Sequence, residues 1–185
     1  MNPIIIIVLA VVIIVLIITI SSYNKLVRLK NRVENQWSQI SIQLKRRADL
    51  IPNLVEVVKG YAKHEREAFR EVIEARNTYL SATSVDEAAK SESLMQGALK
   101  QVFALAESYP ELKANTNFLD LQNQLKDIED KISYARQFYN DTVNIYNDTV
   151  GMFPSNLFAN IFNFKSANLF ELTNPQDAEN IKIQF

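Results

Sequence analysis

Ile4-Ile5-Ile6-Ile7-Val8-Leu9-Ala10-Val11-Val12-Ile13-Ile14-Val15-Leu16-Ile17-Ile18-Thr19-Ile20 is an unbroken apolar run. Only Ala10 and Thr19 depart from Ile, Val and Leu. A helix needs roughly 20 apolar residues to cross a hydrocarbon core of about 30 Å. The run is slightly short, and Ser21, Ser22 and Tyr23 extend it through the interface. Tyr is a residue that settles at headgroup level. In lipid a strand would leave backbone groups unpaired at several kcal/mol each, so the run is expected to be helical.

A cleaved signal peptide and a buried strand compete with that reading. A signal peptide carries a basic start, a shorter apolar core and a small-residue cleavage site. Asn2 and Pro3 bring no charge, and no Ala-x-Ala pattern follows the run. Residues 1–22 are therefore expected to form an uncleaved anchor. Lys25, Arg28, Lys30 and Arg32 follow the run and no basic residue precedes it. Lys and Arg collect on the cytoplasmic side of a span. The expected topology is a single pass through the cytoplasmic membrane, N-terminus out and C-terminal domain in the cytoplasm. These four residues are the expected lipid-headgroup contacts, at about 1 kcal/mol each near an anionic surface.

Beyond the run lies enough chain for one domain with a real core. Gly occurs 3 times and Pro 5 times, which argues for long helices over turn-rich sheet. The net charge of −1 hides a polarity. Seven basic residues and one acid, Glu34, fall between Lys25 and Arg47, leaving −7 for the remainder. Such an acidic domain is a poor nucleic-acid binder. The absence of cysteine fits a reducing compartment.

Residues 23–48 read as a helix with Val33, Trp37, Ile40 and Leu44 on one stripe. Gln36, Gln39 and Gln43 run beside it. Packing is the expected role of Trp37. On a continuous helix Lys45 lies roughly 30 Å beyond the interface. That is several times the Debye length of about 8 Å. Lys45, Arg46 and Arg47 therefore do not feel the bilayer. They are either a solvated helix end or a docking patch for an acidic partner.

Two readings also compete at Asp49-Leu50-Ile51-Pro52-Asn53. Asp49 caps a new helix with Pro52 in its first turn, or the first helix runs on and kinks at Pro52. The break is preferred. A second helix is then expected over 50–81, with Gly60 a weak point and Ala62, Phe69, Val72, Ile73, Arg76 and Leu80 on its stripe. Ser84 and Glu87 form a capping box that opens a third helix from 85 to about 108. After the Tyr109-Pro110-Glu111 break, a fourth helix is expected over 111–150. Tyr139-Asn140-Asp141-Thr142-Val143 recurs as Tyr146-Asn147-Asp148-Thr149-Val150, seven residues on. A seven-residue repeat keeps one face and suits a local helix–helix seam. Gly151 is expected to end the helix. Leu157, Phe158, Ile161 and Phe162 make a short amphipathic helix that packs on the bundle, on a neighbour or on a membrane. A polar tail follows from Asn174.

The chemistry of catalysis is thin. With one His and no Cys, a zinc or di-iron site has almost no ligands. His64-Glu65 lacks the second His of a metalloprotease helix, and no glycine-rich phosphate loop exists. His64 sits in Lys63-His64-Glu65-Arg66-Glu67, read as a charged helical face. No catalytic residue, cofactor, metal or small-molecule substrate is expected.

Tyr23-Asn24, Leu26-Val27, Lys30-Asn31, Trp37-Ser38, Gln43-Leu44-Lys45-Arg46-Arg47 and Asp49-Leu50-Ile51-Pro52-Asn53-Leu54-Val55 together resemble the signature of the LemA family. Tyr61, His64-Glu65, Leu112-Lys113-Ala114, Asn117-Phe118, Leu121-Gln122, Arg136, Tyr139-Asn140 and Phe153-Pro154 continue it. The resemblance implies a bacterial, singly anchored protein with a cytoplasmic helical bundle of the up-and-down four-helix kind. It implies no defined reaction. Relatives are associated with magnetosome membranes and with membrane-protease genes.

The expected architecture is all-α: a transmembrane helix over 1–22, a four-helix bundle over 23–152, and a short aromatic-rich helix with a polar tail over 153–185. The expected role is a membrane-anchored scaffold or assembly protein acting by contact, as a homo-oligomer or with an unidentified membrane protein. The alternative is a regulator or sensor coupled to membrane proteolysis or envelope stress. Gln43, Lys45, Arg46, Arg47, Asp49, Pro52 and Asn53 form the candidate protein-contact surface.

Overall fold

A computed structural model describes residues 2–171. The tail expected from Asn174 lies outside the described residues. Six helices follow one another: α1 (Pro3–Tyr61), α2 (Arg66–Ser81), α3 (Val85–Glu107), α4 (Pro110–Lys113), α5 (Thr116–Gly151) and α6 (Ser155–Ile161). Among the described residues there is no strand. The described residues divide into two compact units, one of 2–37 with Phe138–Asn168, the other of Ser38–Gln137 with 169–171.

The expected break at Asp49 does not occur: α1 continues through Pro52 to Tyr61. Proline lacks an N–H and so cannot bond the carbonyl four residues back. That carbonyl belongs to buried Ala48, and it accepts instead from Arg76 Nε at 2.8 Å. The pyrrolidine ring faces solvent. With the lone acceptor satisfied from α2, the helix has no reason to end there. The chain turns instead over residues 62–65, just past Gly60, where Glu65 N–H bonds to the Ala62 carbonyl at 3.2 Å. His64 therefore sits exposed in a turn rather than on a helical face.

The second unit is built on apolar rows of α1, α2, α3 and α5. Ile40, Ile51, Leu54 and Val58 of α1 are fully enclosed. Each such aliphatic side chain contributes about 1.5–3 kcal/mol on burial. On α2 the buried row is Phe69, Val72, Ala75 and Tyr79, so Ile73 and Leu80 stay outside, contrary to expectation. Tyr79 takes the inner position because its hydroxyl reaches the enclosed Glu92 carboxylate there. The capping box forms as read: Ser84 Oγ accepts from Glu87 N–H at 3.2 Å, and Glu87 Oε2 accepts from Ser84 N–H at 3.3 Å. Pro110 opens α4, a single turn distinct from the helix that follows, where one helix over 111–150 is expected. Asn115 separates the two, with its Oδ1 accepting from Phe118 N–H at 3.1 Å, an Asx cap that starts α5.

In the first unit Leu26 and Val33 of α1 share a core with Tyr139, Val143 and Tyr146 of α5. Trp37 packs on Tyr139 with ring centroids 6.0 Å apart, the packing role expected of it. Gly151 is the last residue of α5, but its φ is not positive, so it does not provide the left-handed turn expected of a terminal glycine. That conformation appears one element later. Asn163 has φ 56° just past α6. Phe164 N–H bonds back to the Ala159 carbonyl at 2.8 Å and Asn163 N–H to the Asn160 carbonyl at 3.3 Å. This is a Schellman closure with Asn in glycine's place. It sets Phe162 and Phe164 either side of Asn163, both edge-on to Tyr23 at 4.9 and 5.9 Å.

Candidate functional site

Three groups of residues carry polar chemistry that packing alone does not require. The first borders the apolar run. Among the described residues none of the apolar window of α1 is buried, and α1 is the helix long and apolar enough to cross a membrane, with a mean hydropathy of 3.6 in that window. Lys25, Arg28, Lys30 and Arg32 are all exposed. Arg28 Nε donates to the Asn24 carbonyl at 3.3 Å. Lys30 lies 3.9 Å from Glu34 with both side chains more than half exposed, a pair too solvated to hold the ammonium.

The second is the seven-residue repeat of α5. Tyr139 and Tyr146 are buried, and their hydroxyls donate to the carbonyls of Asn168 and Lys165, each at 2.8 Å. Asn147 donates to the Ala167 carbonyl at 2.9 Å and accepts from Ala167 N–H at 2.8 Å. The repeat thus grips an extended segment as well as the helix carrying Trp37. Seven helical residues advance about 10.5 Å, and three extended residues span about 10 Å, so the two tyrosines match carbonyls three residues apart. Thr142 and Thr149 turn their hydroxyls back to the carbonyls of Phe138 and Ile145, at 2.8 and 2.9 Å. Burial pushes the Tyr146 phenol up, and Glu34 adds to it.

The third is a buried ion cluster in the second unit. Arg47 is 4% exposed. Its Nη1 pairs with Glu92 Oε1 and lies 2.8 Å from Glu129 Oε2. Glu92 is wholly enclosed and accepts from the Tyr79 hydroxyl at 2.7 Å. Gln96 Nε2 bridges the carboxylates of Glu92 and Glu129 at 3.0 Å each. Burial works against the Arg47 charge, but the two carboxylates outweigh it and hold the guanidinium firmly protonated. Burial first, then Glu92, pushes the Tyr79 phenol far up. Glu129 is also raised, by burial above all, with Arg47 opposing. Arg47 Nε and Gln43 Oε1 are buried without a hydrogen-bond partner. A cleft of about 550 Å³ lined by Leu99, Phe103 and Leu125 opens beside the cluster. One guanidinium shared by two carboxylates fixes the register of α1, α3 and α5 more than it adds stability.

The expected contact block divides accordingly. Lys45, Arg46, Asp49, Pro52 and Asn53 are exposed and Gln43 is half-buried. Arg47 points inward, so it is neither part of a solvated helix end nor open to a partner. The signal was present in the sequence: Arg47 lies seven residues after Ile40 and seven before Leu54, in the apolar row itself. Glu92 stands likewise between Ala88 and Met95. Among the described residues, no group of three or more His, Cys, Asp or Glu is placed to hold a metal ion.

These features define an all-helical protein with a candidate membrane helix at its start and an ion cluster locked into its helical core. The chain belongs to the LemA family, whose family model matches residues 36–185. The match leaves out the apolar run and the collar. "Magnetosome protein MamQ 2" of Paramagnetospirillum magneticum is 24% identical over 175 residues, covering 80% of this chain and 64% of the relative. "Protein LemA" of Metamycoplasma hominis is 27% identical over 153 residues, covering 80% of this chain and 68% of the relative. "Magnetosome protein MamQ" of Magnetospirillum gryphiswaldense is 21% identical over 174 residues, with the same 80% and 64% coverage. The chain thus spans just under two thirds of the length of the MamQ relatives.

Proposed function

We propose that this protein is a non-enzymatic scaffold or assembly protein of the bacterial cytoplasmic membrane. Residues 4–20 anchor it, and the basic collar keeps its C-terminal domain on the cytoplasmic side. The observation that carries the reading is the exposure of the apolar window: none of it is buried among the described residues, and a helix of such hydropathy left open calls for lipid. α1 beyond Trp37, α2, α3 and α5 up to Gln137 act as an up-and-down four-helix bundle. Relatives named as magnetosome proteins support a role at a membrane-bounded structure.

Self-association is supported by α5. Phe138 and Ile145 are 61 and 51% exposed and lie seven residues apart on one helical face. An apolar row of that size calls for a cover, and tethering raises the effective concentration of a second copy. The test is the mass of the full chain in mild detergent. A multimer that Phe138→Lys reduces to a monomer supports the scaffold. A monomer carrying a stoichiometric protease or signalling protein would replace it with a regulator. A cytoplasm-active reporter fused after Phe185 tests the orientation.

A further inference from the structure

We propose that residues 152–165 form a second membrane contact, beside the span, that receives an anionic phospholipid headgroup. The proposal rests on the reading that residues 4–20 cross a bilayer. Tyr23 fixes the depth. It lies three residues past Ile20, about 5 Å further along the helix axis, which places its ring at headgroup level. Phe162 and Phe164 pack edge-on against that ring at 4.9 and 5.9 Å. The segment that carries them is therefore held at the same level, by a Schellman turn and by the Tyr146 and Asn147 bonds to the backbone of residues 165 and 167.

What that segment presents is apolar. Met152, Phe153, Leu157 and Ile161 are 60, 80, 52 and 72% exposed. Four large apolar side chains exposed within ten residues, uncovered among the described residues, mark a contact surface. Continuity with the anchor decides the occupant. The helix that carries them ends at Phe162, against a ring placed in the interface, where an amphipathic element buries its apolar face by about 5–10 Å. The polar side completes the site. A cleft of about 660 Å³ is lined by Tyr23, Lys30, Asn31, Tyr146, Phe162 and Lys165. Its two lysines are exposed, and Lys30 lies 3.9 Å from the Glu34 carboxylate. Two lysines and an amide beside aromatic rings suit a phosphate whose acyl chains continue downward.

The chain has no native cysteine, so single nitroxide labels can be placed at will. The full chain carrying Ile161→Cys, Ile14→Cys or Asn77→Cys is reconstituted in vesicles of phosphatidylcholine with or without phosphatidylglycerol. Collision with oxygen and with a water-soluble nickel chelate reports depth. With phosphatidylglycerol, the Ile161 label should meet the chelate severalfold less often than the Asn77 label, at a shallower depth than Ile14. Lys30→Glu with Lys165→Glu should remove that protection, and inorganic phosphate added to pure phosphatidylcholine should not create it. An Ile161 label as aqueous as Asn77, while Ile14 stays deep, would overturn the proposal and leave the anchor standing. A label shielded from both reagents would mean a protein cover and overturn it equally. Equal depth in the two lipids, insensitive to charge reversal, would overturn the headgroup assignment. An aqueous Ile14 label would mean that the anchor itself is misread, and the proposal falls with it.

Discussion

Arg76 Nε donates to the carbonyl of Ala48 at 2.8 Å, and Ala48 is the residue whose carbonyl Pro52 leaves without its helical partner. A side chain of α2 thus repairs a defect in α1. Removing it should leave a buried carbonyl unsatisfied, at about 1–3 kcal/mol. Arg76→Met is expected to lower stability by that amount in denaturant titration. Pro52→Ala restores the N–H, so Arg76→Met in that background should lose less than about 1 kcal/mol. Equal losses in both backgrounds would show that the two residues are not coupled.

Arg47→Met strands the enclosed Glu92 carboxylate. The expected loss is about 3–5 kcal/mol, as for other buried pairs broken on one side. Replacing Arg47, Glu92 and Glu129 together by apolar residues of similar size should recover most of it. Thermal melts of the single and triple variants check the order.

Glu129 gives the core a pH dependence of defined sign. Its folded-state pKa is raised above the ordinary carboxylate value, chiefly by burial, so the folded protein binds this proton more tightly than the unfolded chain does. The contribution to stability is full below the ordinary value and is lost as pH rises through the raised one. Glu129→Gln should flatten that fall, read from unfolding midpoints across mildly acidic to neutral pH. A stability that rises more steeply with pH in the variant's absence than in its presence contradicts this sign.

The repeat tyrosines should govern the exchange of the segment they hold. Asn147→Ala removes the acceptor of Ala167 N–H and should abolish its protection in hydrogen exchange. Tyr146→Phe should speed exchange around Lys165 by roughly fivefold, the effect of losing about 1 kcal/mol. Unchanged protection in both variants would mean that other contacts hold the segment.

Much of this was legible in the sequence, because patterning and capping act locally. The capping box at Ser84 and the breaks near Ser81 and Tyr109 follow from capping and turn chemistry. Pro52 misled because its missing bond is made good by Arg76, 24 residues further on, and no local pattern announces that. Arg47 misled for the opposite reason. Its charge groups it with its neighbours Lys45 and Arg46, whereas its register with Ile40 and Leu54 decides its place. The phase of α2 shifted because Tyr79 follows Glu92, a partner on another helix. The grip on residues 165–168 needs the match of helical and extended rise, which neither segment shows alone.

The account stands on residues 4–20 lodging in lipid, and alkaline carbonate extraction of membranes bearing the full chain tests it most directly. It predicts that the protein stays in the pellet with its N-terminal residues intact. Release into the supernatant, or recovery of a mature chain lacking the apolar run, would contradict it.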